Sequence, residues 1–270
     1  MTIRGSVIGS PVEHSLSPLL HREAFAFLGI DGSYQRTLVE SGALSTFFLN
    51  QSENFDYLSI TMPLKEEALN LPVTIDALSN RIQSANTLYR RNDLWHLTST
   101  DGEGFVQALA HKGHTQFQSV LVLGAGGTAR AVVGALDALS SKITVMGRTS
   151  SRREVLESSI RNSEFIYERW SDTPALKEFD LVVNTTPAGA ADLIADGLPS
   201  HISTPYFDVI YKPWPTVLAS RWKDNGGEVI SGIEMLLYQG IAQIQLALNQ
   251  DLDQLALATH LRPILIKAVR

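Results

Sequence analysis

The stretch Ser119-Val-Leu-Val-Leu-Gly-Ala-Gly-Gly-Thr-Ala-Arg130 decides how the chain is read. Ser119 to Leu123 is a short run of β-prone apolar residues, the pattern of a parallel strand covered on both faces. Gly124, Ala125, Gly126, Gly127, Thr128 and Ala129 follow, with glycine at the first and third positions and a small residue at the sixth. A dinucleotide turn needs that spacing. One glycine makes the turn, one lets backbone approach a pyrophosphate, and a small residue lets helix pack on strand. The pattern predicts a helix over 128–139 whose free N–H groups face the phosphates, then a second strand over 143–146 that closes a βαβ unit.

Immediately beyond that second strand stands Gly147-Arg-Thr-Ser-Ser-Arg-Arg153. An NAD site usually has an acidic residue there to hold the ribose 2′-hydroxyl. Here Arg148, Arg152 and Arg153, with the hydroxyls of Thr149 and Ser150, suit a 2′-phosphate dianion, because guanidinium forks match phosphate oxygens two at a time. The cofactor expected is NADP.

Composition narrows the rest. The 270 residues have a net charge of -6 and no cysteine. That length allows one large or two medium domains, and the acidic balance offers no basic surface for nucleic acid. No apolar run approaches the ~18 residues that span a bilayer, and a start containing Arg4, Glu13 and His14 is no signal peptide. Without cysteine there are no disulfides or thiolate metal sites, so a reducing cytoplasm is the simplest home. The histidines form no His-Glu-x-x-His pattern, and no metal is expected.

Toward the N-terminus, a strand over 3–8 runs into the loop Gly9-Ser-Pro-Val-Glu-His-Ser-Leu-Ser-Pro18. Ser17 reads as a helix N-cap with Pro18 at the first helical position. A polar loop feeding a helix start also suits an anion, and Ser15 and Ser17 could donate hydroxyls to a carboxylate; capping accounts for Ser17 equally well. Strands are expected over 33–38 and 56–61, with a helix over 43–49 between them. Thr61-Met-Pro-Leu-Lys65 then turns strand into helix, putting Lys65 in a first turn where a cation is electrostatically unwelcome, which suits an acid–base lysine. A helix over 74–82 and strands opening at 84–87 and over 94–98 lead to Asp101, which either caps the next helix or, facing Lys65, orients its ammonium.

Further strands are expected over 180–184, 206–210 and 228–230. Ser231-Gly-Ile-Glu234 is a capping box. The helix it opens carries Ile233, Leu236, Leu237, Ile241, Ile244 and Leu248 at helical spacing, with Gln239 and Gln243 one turn apart.

Taken in order, these pieces resemble the shikimate dehydrogenases. The matching motifs are Gly9-Ser-Pro-Val-Glu-His-Ser-Leu-Ser-Pro-Leu-Leu-His21, Ser59-Ile-Thr-Met-Pro-Leu-Lys65, Ala85-Asn-Thr87, Thr100-Asp101 with Gly104, the glycine turn, Arg148-Thr-Ser-Ser-Arg152, Asp208-Val-Ile-Tyr-Lys-Pro-Trp-Pro-Thr216 and Ser231-Gly-Ile-Glu-Met-Leu-Leu-Tyr-Gln239. The resemblance implies an α/β chain of two domains. A Rossmann-like, doubly wound NADP-binding domain would span 103–235. An α/β substrate-binding domain would comprise 1–102 and 236–270, its C-terminal helix packing back on it, with the ligands held in a cleft between the domains. It further implies that Ser15 and Ser17 hold the substrate carboxylate, that Thr61, Asn86, Asp101 and Gln239 hold ring hydroxyls, and that Tyr211 lies near the substrate. Lys65 and Asp101 would be the catalytic pair. The implied reaction is the reversible, NADPH-dependent reduction of 3-dehydroshikimate to shikimate, a step of aromatic amino acid and chorismate biosynthesis. The partners would be small molecules, with no nucleic acid or membrane, and the chain a cytoplasmic monomer or homodimer.

Departures stand at Ser99 and Gly147, where the family usually has asparagine, at Asn184-Thr-Thr-Pro-Ala-Gly189, and after Gln239, where a usual Phe and Trp are missing. Gly147 removes one adenosine contact, with a looser hold on NADP as the expected cost. Two rival readings follow: a quinate/shikimate enzyme tolerant of NAD, which Arg148 opposes, and a non-catalytic NADP-binding regulatory module, which retention of Lys65, Asp101, Asn86 and both serines opposes.

Overall fold

The computed structural model describes residues 2–269, which divide into two compact units: one runs to Gly104 and resumes over Leu236–Ala268, the other spans Phe105–Met235. The α/β class expected from the glycine turn holds in both.

The first unit is built on β1 (Ile3–Gly9), α1 (Ser17–Leu28), β2 (Gly32–Leu38), α2 (Leu44–Gln51), β3 (Tyr57–Ile60), β4 (Thr74–Ile75), α3 (Ala77–Ile82), β5 (Thr87–Arg91) and β6 (Leu94–Thr98), followed by the start of α4 (Asp101–His111). Its sheet has the order β2-β1-β3-β5-β6-β4. β1 runs parallel to β2 and β3, whereas β3–β5 and β5–β6 are antiparallel. The order reverses direction between β1 and β3. Consequently the ends of β1, β3 and β6 and the start of β5 share one edge, and switch points of this kind open a crevice for ligands. Under the sheet, Ile8, Leu44, Leu58, Ile60, Leu64, Leu88 and Leu97 form a dry core.

His21 is fully buried in this unit. Its ring stacks on Tyr34 with centroids 4.0 Å apart, and the Tyr57 hydroxyl lies 2.6 Å from Nδ1. Burial pushes the imidazole from 6.5 down to about 3. The unfolded chain therefore binds a proton below pH 6.5 that the folded chain refuses until about pH 3, so stability is complete above 6.5 and is lost as pH falls. The expected slope is about 1.4 kcal/mol per pH unit across that window. Urea unfolding from pH 7 to 4 checks it: His21→Phe should be less stable at neutral pH yet show a flatter dependence, and an unchanged slope would contradict the assignment.

The second unit contains β7 (Phe117–Leu123), α5 (Gly127–Leu136), β8 (Ser140–Gly147), α6 (Arg153–Ser158), β9 (Glu164–Arg169), β10 (Leu181–Asn184), β11 (Tyr206–Asp208), α7 (Val217–Asp224) and β12 (Val229–Ser231). All its strands are parallel, in the order β12-β11-β10-β7-β8-β9. Counted from β7 this is the 3-2-1-4-5-6 arrangement of doubly wound dinucleotide folds, with its switch point between β7 and β10. Leu121, Leu123, Val182, Tyr206 and Trp222 fill the core on one side.

The chain then continues through α8 (Gly232–Leu248) and α9 (Gln254–Ala268). α9 packs on α1. The apolar spacing of α8 predicts an amphipathic helix, but from Ile233 to Ile244 it is buried on nearly every side; a helix apolar on most faces belongs in an interior. An added Cβ on Gly240 would sit 2.8 Å from the Leu20 methyl carbons, so close packing of α8 on α1 requires glycine there. Ser231 Oγ accepts from the Ile233 N–H at 3.2 Å, an N-cap bond one residue short of the Glu234 N–H that the predicted capping box uses.

Several local expectations are corrected. The helix expected over 128–139 ends at Leu136; Asp137 turns away and its carboxylate collects the backbone N–H groups of Arg161, Asn162 and Ser163. The helix expected over 74–82 begins as strand β4 on β6, and Asp76 Oδ1 caps α3 through the Ser79 N–H at 2.7 Å. Among the described residues, no helix is long and apolar enough to cross a membrane.

Candidate active site

On the shared edge of the first sheet, the sequence-predicted residues Lys65, Asn86, Asp101 and Gln239 come together. The sequence places Lys65 in the first turn of a helix. It stands instead in a turn between β3 and a short 3-10 helix over Glu67–Asn70, because four residues of 3-10 structure are all that forms before Pro72. The argument from a helix dipole therefore does not apply. What positions Lys65 is pairing: its carbonyl accepts from the Ala85 N–H at 2.9 Å, and its ammonium is ion-paired and hydrogen-bonded to Asp101 Oδ2.

Asp101 is the first residue of α4 and is 5% exposed. A carboxylate buried that deeply needs both a counter-charge and hydrogen bonds. Asn86 provides the latter: its Nδ2 lies 2.8 Å from Asp101 Oδ1, 3.1 Å from Thr100 Oγ1 and 3.2 Å from Gln239 Oε1. Asn86 is oriented in turn, since its Oδ1 accepts from the Thr100 N–H at 2.8 Å and from the Thr87 hydroxyl at 2.7 Å. Lys65 keeps 16% of its side chain exposed against 7% for Asp101.

Sequence reasoning notes Gln243 only as a neighbour of Gln239. The structure gives it a larger part. Its Nε2 donates to the Asn86 carbonyl at 3.2 Å and to Thr87 Oγ1 at 2.9 Å, while its Oε1 accepts from Ser59 Oγ at 2.6 Å. Ser59 in turn accepts from the Tyr34 hydroxyl at 2.5 Å. The line Tyr34–Ser59–Gln243–Asn86 thus anchors the cluster in the core. Gln243→Leu keeps the volume but takes the acceptor from the buried Ser59 O–H and the donor from Thr87 Oγ1, and should cost about 1–3 kcal/mol in urea unfolding; a loss below a few tenths of a kcal/mol would show the line to be incidental.

Ser15 and Ser17 lie in the loop between β1 and α1. Ser17 does not cap α1; Leu16 occupies the cap without a side-chain bond, and Ser17 is the first helical residue. Instead Ser15 Oγ accepts from the Ser17 N–H and donates to Ser17 Oγ, both at 3.2 Å, while Arg36 Nη2 holds the Ser15 carbonyl at 2.7 Å. The two hydroxyls are adjacent, Ser15 half-buried and Ser17 buried, and Ser15 Oγ serves one of the free N–H groups at the start of α1. Thr61 enters from the neighbouring turn. A Cβ on Gly9 would lie 2.4 Å from Thr61 Cγ2 and 2.6 Å from the Met62 carbonyl, so glycine is what lets the ends of β1 and β3 close up. Tyr211 belongs to the second unit, half-buried after β11.

In the second unit, Gly124 has φ +105°, and a Cβ there would stand 2.6 Å from Thr185 Oγ1; the turn after β7 can only be glycine. Gly126 caps α5 without a side-chain bond, and nothing lies within 4 Å of where its Cβ would be. The backbone at the helix start is thus open to a ligand. Gly127 begins α5, followed by Thr128 and the buried Ala129, the small residue that the packing of helix on strand requires. Leu123 is in register with Met146, so the glycine turn and the segment after β8 leave adjacent strand ends. There Arg148, Thr149 and Arg152 are exposed. The residues present fit a dinucleotide carrying a 2′-phosphate: an open turn, a helix start and guanidinium groups at the next strand end.

Residues 7–88 match the family model described as the shikimate dehydrogenase substrate binding domain, and residues 107–196 that described as shikimate / quinate 5-dehydrogenase. A shikimate dehydrogenase (NADP(+)) of Nostoc sp. is 35% identical over 261 residues, covering 91% of this chain and 90% of the relative. The chain belongs to the shikimate dehydrogenase family. Among solved structures, the shikimate dehydrogenase of Mycobacterium tuberculosis superposes with a TM-score of 0.86 at 32% identity, covering 97% of this chain and 99% of the other. The shikimate 5-dehydrogenase of Thermus thermophilus, solved with NADP(H) and shikimate, gives 0.83 at 30% identity, covering 97% and 99%. Thr87 and Thr100 stand in the quoted motifs without a role of their own, and Gln243 only as a neighbour of Gln239, because their bonds to Asn86 form only on folding.

Proposed function

We propose that this chain catalyses the reversible, NADPH-dependent reduction of 3-dehydroshikimate to shikimate, a step toward chorismate and the aromatic amino acids. The observation that carries the proposal is the buried cluster in which the Lys65 ammonium is held by Asp101, itself held by Asn86. The NADP(+)-dependent enzymes among its relatives, and the Thermus thermophilus complex with NADP(H) and shikimate, support the same reading.

Bound NADPH supplies the hydride for the ketone carbon. Lys65 Nζ faces the oxygen on which negative charge grows, and a preorganised ammonium there favours the transition state over the ground state. Asp101 keeps that ammonium in place and accepts from a neighbouring ring hydroxyl. Asn86, Gln239 and Thr61 hold the other ring hydroxyls, and Ser15 and Ser17 donate to the substrate carboxylate. Tyr211 completes the substrate's surroundings. Gly124, Ala125, Gly126, Gly127, Thr128 and Ala129 would hold the pyrophosphate, and Arg148, Thr149 and Arg152 the 2′-phosphate. The first unit is thus the substrate domain and the second the cofactor domain, in a cytoplasmic enzyme that acts as a monomer or homodimer.

The test is the loss of nicotinamide absorbance when 3-dehydroshikimate is added to the protein with NADPH. Turnover that follows the protein concentration is expected. No turnover, with NADPH still binding, would favour a binding module instead.

A further inference from the structure

Gly147 and Tyr167 form a unit that no motif of the glycine turn includes. Tyr167 lies on β9, opposite Val145 of β8 in the parallel register, and Gly147 ends β8. A Cβ on Gly147 would lie 2.2 Å from the Tyr167 hydroxyl oxygen, 2.9 Å from Cζ and 3.1 Å from the Ala125 Cβ. The end of the phenol ring therefore fills the space of a side chain at position 147, directly beside the glycine turn. Its hydroxyl donates to the Thr149 carbonyl at 2.7 Å. The same carbonyl accepts from the Arg152 N–H at 3.1 Å, closing the short 3-10 turn over Ser150–Arg152. The charge of Arg152 reaches the phenol as well, acting against the upward push of burial on its ionisation.

We propose that Tyr167 is a positioning residue for 2′-phosphate recognition: lodged in the space left by Gly147, it fixes the Thr149 carbonyl and through it the turn that presents Arg152. The inference rests on the NADP reading above and deepens it. An exposed arginine recognises a phosphate well only if its backbone is held, because ordering a loop on binding costs affinity. On β9 the backbone of Tyr167 is held by the sheet, opposite Val145, whereas residues 148–152 are exposed. A missing side chain at 147 is thereby not a lost contact but the room a tyrosine needs.

The test uses the full chain and calorimetric titration with adenosine 2′,5′-bisphosphate and with 5′-AMP, ligands that differ only in the 2′-phosphate. Tyr167→Phe removes the one hydroxyl. It should weaken the bisphosphate about three- to tenfold and leave 5′-AMP unchanged. Gly147→Ala, whose methyl would also press on the ring carbon Cζ and on the Ala125 Cβ, should weaken the bisphosphate at least as much as Tyr167→Phe does. Equal weakening of both ligands, or an unchanged ratio in Tyr167→Phe, would overturn the inference while leaving the NADP reading intact. If the wild-type protein itself binds the bisphosphate no tighter than 5′-AMP, both fall together.

Discussion

Lys65→Met lowers kcat for shikimate oxidation by about two to four orders of magnitude, the range expected when a positioned proton-transferring and charge-stabilising group is lost. Methionine keeps the length and apolar stem of lysine, so the turn between β3 and the 3-10 helix over Glu67–Asn70 need not move. What disappears is the ammonium on Asp101 Oδ2. Because Asp101 is 5% exposed, the variant leaves a buried carboxylate with Asn86 as its remaining partner in the cluster, and it should also unfold at lower urea concentration. The readouts separate these effects. In the folded variant, kcat falls while KM for shikimate changes little, since Ser15, Ser17, Asn86 and Gln239 still hold the ring. An unchanged kcat in folded Lys65→Met would remove the lysine from the chemistry.

The second large effect concerns the cofactor. Arg148→Ala combined with Arg152→Ala raises KM for NADP by two orders of magnitude or so, because each charge-assisted bond to phosphate contributes about 1.5–3 kcal/mol. KM for NAD, which has no 2′-phosphate, stays within a few-fold. Both arginines are exposed, so the fold tolerates their loss and thermal unfolding should hardly shift. Steady-state kinetics with each cofactor decide it. A rise of equal size for NAD and NADP would mean that the arginines serve the backbone or the pyrophosphate and not the 2′-phosphate.

What can be read from sequence and what cannot divides along a physical line. The glycine turn is legible because each part is local: an apolar strand, glycines whose conformations other residues resist, and a helix start. Arg148 and Arg152 stand out because charge type alone separates a side chain suited to phosphate from one suited to a hydroxyl, and the structure adds that both are exposed. Helix boundaries are less legible. The run Lys65-Glu66-Glu67-Ala68 is rich in helix formers, yet the segment closes as a single 3-10 turn; Ser17 has a capping residue's identity, but the helix starts one residue early and the serine's N–H goes to Ser15. Strand β4 has two residues and exists only through pairing with β6. β9, with Glu164 at one end and Glu168 and Arg169 at the other, lacks the continuous apolar run that betrays a central strand, so the sequence hides it, and Tyr167 with it. Gln243 is the clearest case: its partner Ser59 lies 184 residues away in the chain, a distance no periodicity crosses.

The most direct test of the central claim compares initial rates of cofactor reduction for shikimate and for quinate, each with NADP and with NAD. Shikimate with NADP should have by far the highest kcat/KM, exchanging NADP for NAD should cost the contribution of the arginine turn, and quinate should be poor with either. Quinate or NAD in the lead would contradict it, assigning the cluster around Lys65 to a different substrate or leaving Arg148 and Arg152 without a phosphate to read.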